Sequence, residues 1–524
     1  MTYEVPERYL NELFKANLWH VLISTDIDPF TGQYQHGAAT HGYKNFLNET
    51  AMVIRSLEMR GEHEEAERLI TPFLENQGVK GLPGNFRSKQ GVLYAAHPEE
   101  PDPYTGQGYN MHHGFGMWAA AEHYLWTHDL KYMAAVAPRL VAAADWVIRE
   151  RQYTKLIDSK GRRRPEYGLA PAGDLEDVEE YLYYYATDAY LHLGMKRVAQ
   201  ALEQAAEDAA RIPATNRPPN RWINEVRREA KRLAKETASF CNDIRASVAE
   251  SVATSPVVRL RNGFYVPYVP PRVWALTHLK EGWIREGLYP ALHLVSGEVY
   301  DARHRFVDWM IDELEDNVFL SKECGYGLQQ PENEFFDKGG FTLQPNLLDL
   351  AIVYLSRDQI PHFVRAFYNT AWVSLYPDTM CFAEWIPELS RGDGPLYKTP
   401  DECKFIQWMR QMLIFERGEQ LELGLGIPLA WMRDGQRIKV ERAATLFGRL
   451  QLEIVSHAAS DVVIASAKLA KEKEPEGVRL RLRHPSGRPI RLAKVNGQPA
   501  GLDSDRQLIE LPKGAHEWRV EALF

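Results

Sequence analysis

The stretch HGFGMWAAAEHYLWTHDLKYMAAVAPRLVAAADWVIRERQ (residues 113–152) decides the fold. It reads as two helices, Met111 to His128 and Leu130 to Gln152, joined only by Asp129 and its neighbours. Two helices with so short a turn make an αα-hairpin. Upstream, Leu10, Leu13, Phe14, Leu18 and Leu22 recur at helical spacing between Val5 and about Ile23. Asn48 to Arg60 is the next helix, ending at Gly61 as a C-cap would, and Glu62 to Gln77 follows at once. Downstream, helices are predicted over Leu175 to about Ala210, Asn220–Val252, Gly282–His293, Asp301–Glu315, Leu347–Leu355, Gln359–Leu375 and Asp401–Glu416.

Roughly a dozen helices, with tight turns alternating with long loops, predict a mainly α fold: an (α/α)6 toroid of six helical hairpins. The long loops then gather at one end and line a funnel. No sustained heptad supports a coiled-coil bundle and no fixed-period repeat supports a solenoid. Val257 to Val269 is read as a short β-hairpin turning at Asn262-Gly263. After Arg417 the pattern changes to about eight short, alternating, turn-bounded segments, among them RIKVERA, RLQLEIVS and EWRVEAL. These predict a C-terminal β-sandwich-like domain. The expected division is therefore a toroid over 1–417, which would carry any chemistry, and a supporting β-domain over 418–524.

The chain has 524 residues, 45% of them hydrophobic and 25% charged, too many for one small core. A net charge of −9 argues against nucleic acid or an anionic membrane as the main ligand. Cys241, Cys324, Cys381 and Cys403 show no CxxC pair or metal-ligand spacing, which suits reduced thiols. MTYEVPERYL has neither a basic nor an apolar leader region, and no apolar run approaches a membrane span, so a cytoplasmic location is expected.

Two patches combine acids with aromatics, the composition that a sugar site needs for proton transfer and ring stacking. The first is YGLAPAGDLEDVEEYLYYYATDAY (167–190), with Asp174, Glu176, Asp177 and Glu179 followed by Tyr181, Tyr184 and others. Read without function, Asp174 is an N-cap and the acids complement a helix dipole. The second is CFAEWIPE (381–388), where Phe382 and Trp385 flank Glu384; otherwise Glu384 is an ordinary loop acid near a helix start. The loop 78–109 carries Arg87 and Tyr109, and His112 and His113 follow it; a lone His is more often a satisfied structural residue. PENEFFDKGG (331–340) offers Glu332, Glu334, Asp337 and Lys338 as sugar contacts, or as a solvated turn. No HExxH, Asp-rich calcium loop, GxGxxG, P-loop or GxSxG is present, so no metal or other cofactor is expected.

The hairpin pattern over roughly 5–417 resembles the six-hairpin glycosidases, the group of glucoamylases, trehalases and bacterial α-L-rhamnosidases. Residues 113–152 are similar to a hairpin of the rhamnosidase-like members. So is the way GIPLAWMRDGQRIKVERAATLFGRLQLEI (426–454) leads into the β-domain. The resemblance implies an exo-acting, inverting glycosidase with a carbohydrate substrate. Its acid would lie in the loop entering the sixth helix, GLAPAGDLEDVEE, at Glu176 by likeness to glucoamylases or Asp174 by likeness to trehalases. Its base would lie at Glu384, where AEW resembles the glucoamylase base segment. Asp177, Tyr109, His112, His113, Trp385, Glu334, Lys338, Tyr184 and Arg87 are the expected substrate contacts. Two alternatives stay open: a lyase or phosphorylase on the same toroid, the lyase using Tyr109, His112 and Arg87, and a non-catalytic carbohydrate-binding protein.

Overall fold

A computed structural model of the chain describes residues 1–29, 31–40, 45–94, 109–175, 178–213, 217–276, 291–318, 349–388 and 391–524. Twelve α-helices fall among the described residues: α1 (Arg8–Ile23), α2 (Leu47–Arg60), α3 (His63–Glu75), α4 (His112–Thr127), α5 (Leu130–Glu150), α6 (Tyr185–Arg211), α7 (Asn220–Thr254), α8 (His293–Ser296), α9 (Arg305–Glu313), α10 (Leu350–Ser356), α11 (Ile360–Ser374) and α12 (Thr399–Gln411). None is long and apolar enough to cross a membrane.

Burial separates the helices into two rings. Every α4 position from His112 to Tyr124 is buried, as is every position of α12. Helices buried all round sit in the interior of a fold. By contrast α5 buries one stripe (Met133, Val136, Ala137, Leu140, Ala144, Val147), so it lies outside. α2, α4, α6 and α12 are largely buried and line the interior, while α3, α5 and α7 bury one side only and lie outside. Their tight turns are built for reversal. Gly61 closes α2 in the left-handed region at φ 83°, and Asp129 caps α5 by accepting from the Lys131 amide at 2.7 Å. The ring closes where α1 meets α12: Asn17 donates to Glu402, whose carboxylate also lies 2.8 Å from His20 Nδ1. Between α4 and α6 the backbones touch. A Cβ on Gly114 would sit 2.4 Å from the Tyr190 carbonyl group, and one on Gly194 would sit 2.6 Å from the Gly114 oxygen.

The C-terminal part is a pair of sheets. One has seven strands in the order 2–4, 437–443, 450–457, 462–469, 517–523, 492–495, 498–499. The other has five, in the order 414–417, 420–423, 477–481, 508–511, 502–503. Along Leu450–His457 buried positions alternate with more exposed ones, as a strand with one covered face requires. The strand Thr2–Glu4 belongs to the larger sheet, at its edge beside 437–443. Arg481 grips the α10–α11 turn, its two terminal nitrogens 2.6 and 2.9 Å from the Asp358 carboxylate. A continuous apolar core runs from the inner helices into the sheets through Met412, Trp431 and Met432.

Two segments depart from the sequence expectation. The helix expected from Leu175 begins only at Tyr185; ahead of it Gly173–Leu175 and Val178–Leu182 form a β-hairpin, so Asp174 caps no helix. Tyr and Val favour a pleated surface over a helix there. Gly173 is also pressed against the Asn110 side chain and Pro83, within a bridge to Gly84. At the other end α12 stops at Gln411 and Ile414–Arg417 is a strand. There Arg410 folds back to donate to the Ile414 carbonyl. The hairpin over 257–267 is present, with Gly263 at φ 86°. Most of the expected helix 282–293 lies outside the described residues.

Candidate active site

Glu384 lies not on a loop but on the strand Cys381–Glu388, which forms a β-hairpin with Arg391–Leu396. The strand is anchored to the inner ring by Glu402 of α12. This buried carboxylate accepts from the Phe382 amide at 3.1 Å, while its other oxygen lies 2.8 Å from His20 Nδ1. The Lys398 amide donates to the Phe382 carbonyl at 3.0 Å, which brings the residue before α12 alongside Glu384. There the Lys398 ammonium, 2% exposed, sits between two carboxylates: 2.7 Å from Glu49 Oε1 and 3.3 Å from Glu384 Oε1. Burial alone would lower the Lys398 pKa, but Glu49, Glu384 and Asp401 outweigh it and hold the ammonium charged. Glu384 Oε2 is buried and makes no hydrogen bond among the described residues.

Glu49 is in the first turn of α2, and its neighbour Asn48 links to the second patch. Asn48 Oδ1 lies 3.0 Å from His112 Nε2 at the start of α4. The Tyr109 ring packs 5.1 Å from the His112 ring and 5.6 Å from Phe46. Next to it, Asn110 donates to the Asp174 carbonyl at 2.9 Å. An unbroken series of contacts thus runs from Glu384 through Lys398, Glu49, Asn48 and His112 to the hairpin that carries Asp174. The 173–182 and 381–396 hairpins therefore sit at the same end of the toroid, over the starts of α2, α4, α6 and α12. Helix starts favour negative charge, and this end carries several carboxylates.

The other expected contacts divide. Tyr109 and His112 belong to this end, though His112 is fully buried and burial pushes its pKa down to about 3, so it is neutral. His113 is spent on structure: one ring nitrogen accepts from the Leu93 amide and the other meets the Ala143 carbonyl. Burial keeps it neutral too, near 4. Arg87 is held elsewhere, stacked 3.7 Å from the centre of the Tyr153 ring beside α5. Tyr184 is buried just before α6, and the Arg272 backbone bridges to it. Trp385 follows Glu384 on the same strand. Glu176, Asp177, Glu332, Glu334, Asp337 and Lys338 lie outside the described residues. No group of three or more His, Cys, Asp or Glu that could hold a metal ion occurs among the described residues.

Three charged residues enter the account from the structure alone. Lys398 lies between Glu49 and Glu384, and Asp188 is buried near the start of α6. Burial pushes the Asp188 pKa up to about 7, although it accepts from the Ala170 amide at 2.8 Å and feels Arg151. No short motif marks these residues, because their partners are distant in sequence.

No family model and no curated protein matches the chain. Solved structures do. The α-L-rhamnosidase from Dictyoglumus thermophilum matches over all of this chain and 50% of its own, at 6% identity and a TM-score of 0.53. A bacterial glucoamylase complexed with acarbose matches over 78% of this chain and 56% of its own, at 11% identity and a TM-score of 0.49. A metal-independent α-mannosidase from Streptococcus pneumoniae matches over 78% of this chain and 99% of its own, at 11% identity and a TM-score of 0.44. The chain thus spans about half the length of the rhamnosidase it matches. At 6% identity the likeness to the rhamnosidase is one of fold alone: an (α/α)6 toroid with a β-domain.

Proposed function

We propose that the chain is a glycoside hydrolase that acts at the end of an oligosaccharide or glycoside by single-displacement inversion. Glu384 is the general base, and the acid comes from Asp174, Glu176 or Asp177. The observation that carries the reading is the state of the Glu384 carboxylate. One oxygen faces the Lys398 ammonium, and the other is buried with no hydrogen bond among the described residues. The ammonium orients one oxygen of this carboxylate and leaves the other as an acceptor for a water molecule. Inversion needs that water between base and sugar, with the acid roughly 6.5–9.5 Å from the base. Asp174 lies on a hairpin at the same end of the toroid, and the acidic-aromatic composition of 174–185 suits a carboxyl kept protonated beside rings. The fold shared with the α-L-rhamnosidase supports the glycosidase reading.

A panel of aryl glycosides and oligosaccharides tests this. The wild type turns over at least one member. Glu384→Gln lowers that turnover by about 10²–10⁴-fold, the usual worth of a positioned acid or base, while circular dichroism shows the protein still folded. Activity within about tenfold of wild type would remove Glu384 from the chemistry.

A further inference from the structure

The ammonium between Glu49 and Glu384 has no place in the proposed proton transfers, and it is too well enclosed to be incidental. Lys398 is at the foot of the 381–396 hairpin, one residue before α12, and its side chain is 2% exposed. A buried ammonium is costly unless anionic partners surround it. It has three such groups, each on a different support: Glu49 on α2 at 2.7 Å, Glu384 on the strand at 3.3 Å, and the charge of Asp401 on α12. The remaining titratable neighbours are accounted for. His36 lies against Thr399, and burial and Lys398 together keep it neutral, near 3. Glu402 is occupied by His20, Asn17 and the Phe382 amide. The Cys381 thiol is held up by burial and stays protonated.

We propose that Lys398 is the positioning residue of the site: it fixes one oxygen of Glu384, keeps that carboxylate ionised, and is itself shared with Glu49, which sets how strongly it does so. This rests on the reading of Glu384 as the base and deepens it. Two consequences follow with opposite signs. Removing the cation disfavours the ionised form of Glu384 and raises its pKa. Removing Glu49 takes away the nearest competing anion, turns more of the Lys398 charge toward Glu384, and lowers it. A residue that merely filled space would move neither.

The test reads the protonation of Glu384 directly. Carbodiimide couples glycinamide to protonated carboxyls. The pH at which labelling of the Glu384 peptide falls by half, measured by mass spectrometry with an exposed acid such as Glu12 as internal reference, reports the pKa without any substrate. Lys398→Met is expected to raise this midpoint by about one to three pH units, the usual effect of an opposite charge at this range, and Lys398→Arg to leave it near wild type. Glu49→Gln is expected to lower it. That variant keeps the proposal testable should Lys398→Met fail to fold. A midpoint that stays put in Lys398→Met, or that rises in Glu49→Gln, overturns the proposal. The two readings fail separately. An active Glu384→Gln with shifted midpoints defeats the base assignment alone, and an inactive Glu384→Gln with unmoved midpoints defeats the role of Lys398 alone.

Discussion

Single residues at the funnel end differ mainly in what burial does to their charge, and that can be read by titration. Asp188 is the clearest case. Its folded pKa near 7 lies well above the roughly 3.9 of an unfolded aspartate, so between those values the folded chain holds a proton that the unfolded chain has lost. The chain that binds more protons gains as pH falls, so Asp188 costs nothing below about pH 4 and its penalty grows through about pH 7. Asp188→Asn keeps an acceptor for the Ala170 amide and cannot ionise. It should raise the melting temperature at pH 8 by about 1–3 °C and leave it nearly unchanged at pH 4, by scanning calorimetry. An equal effect at both pH values would show that the charge is not the cause. The sequence pointed to Glu384 through its flanking aromatics, since acid beside ring is a local pattern. It could not point to Lys398 or Asp188, whose meaning comes from Glu49, Ala170 and Arg151, none of them adjacent in the chain.

Elements were legible where one period dominated. The hairpin of α4 and α5 has the helical spacing and short turn visible in 113–152, and both helices are where the spacing put them. The segment 173–182 misled because acids and tyrosines suit a helix start and a strand alike; the bridge from Gly173 to Gly84, eighty-odd residues away, decides for the strand. Whether a helix lies in the inner or outer ring also depended on partners. The glycines of α4 hint at it, and the structure gives the reason: α4 crosses α6 too closely for a side chain. Gly114→Ala should therefore destabilise the protein, although alanine favours helices, because its Cβ meets the Tyr190 backbone and not a movable side chain. A loss of about 1–3 kcal/mol in urea unfolding is expected, and a gain in stability would contradict the packing account.

In the whole molecule, the toroid and the sandwich share one core. Tyr368 and Trp431 both donate to Glu7, and Arg481 holds Asp358 at the turn between α10 and α11. Burial would raise the Asp358 pKa, but Arg481 and Arg506 outweigh it and keep the carboxylate ionised. Arg506 still faces Asp358 when Arg481 is lost, so Arg481→Met should cost less than the roughly 3–5 kcal/mol of a fully buried pair, about 1–3 kcal/mol in urea unfolding. A chain ending near Gly418 loses that contact and uncovers Met412 and Leu413, and should be poorly soluble. A truncated chain that stays folded and fully active would show the sandwich to be dispensable.

The central claim is that Glu384 directs a water to the sugar in a single displacement. Proton NMR of the first-formed product, recorded before mutarotation on a glycoside that the panel shows to be cleaved, tests it most directly. The account predicts an anomer opposite to that of the substrate. A first product with the substrate's own configuration would mean a retaining double displacement, with the two carboxyls only about 5–5.5 Å apart, and would contradict it.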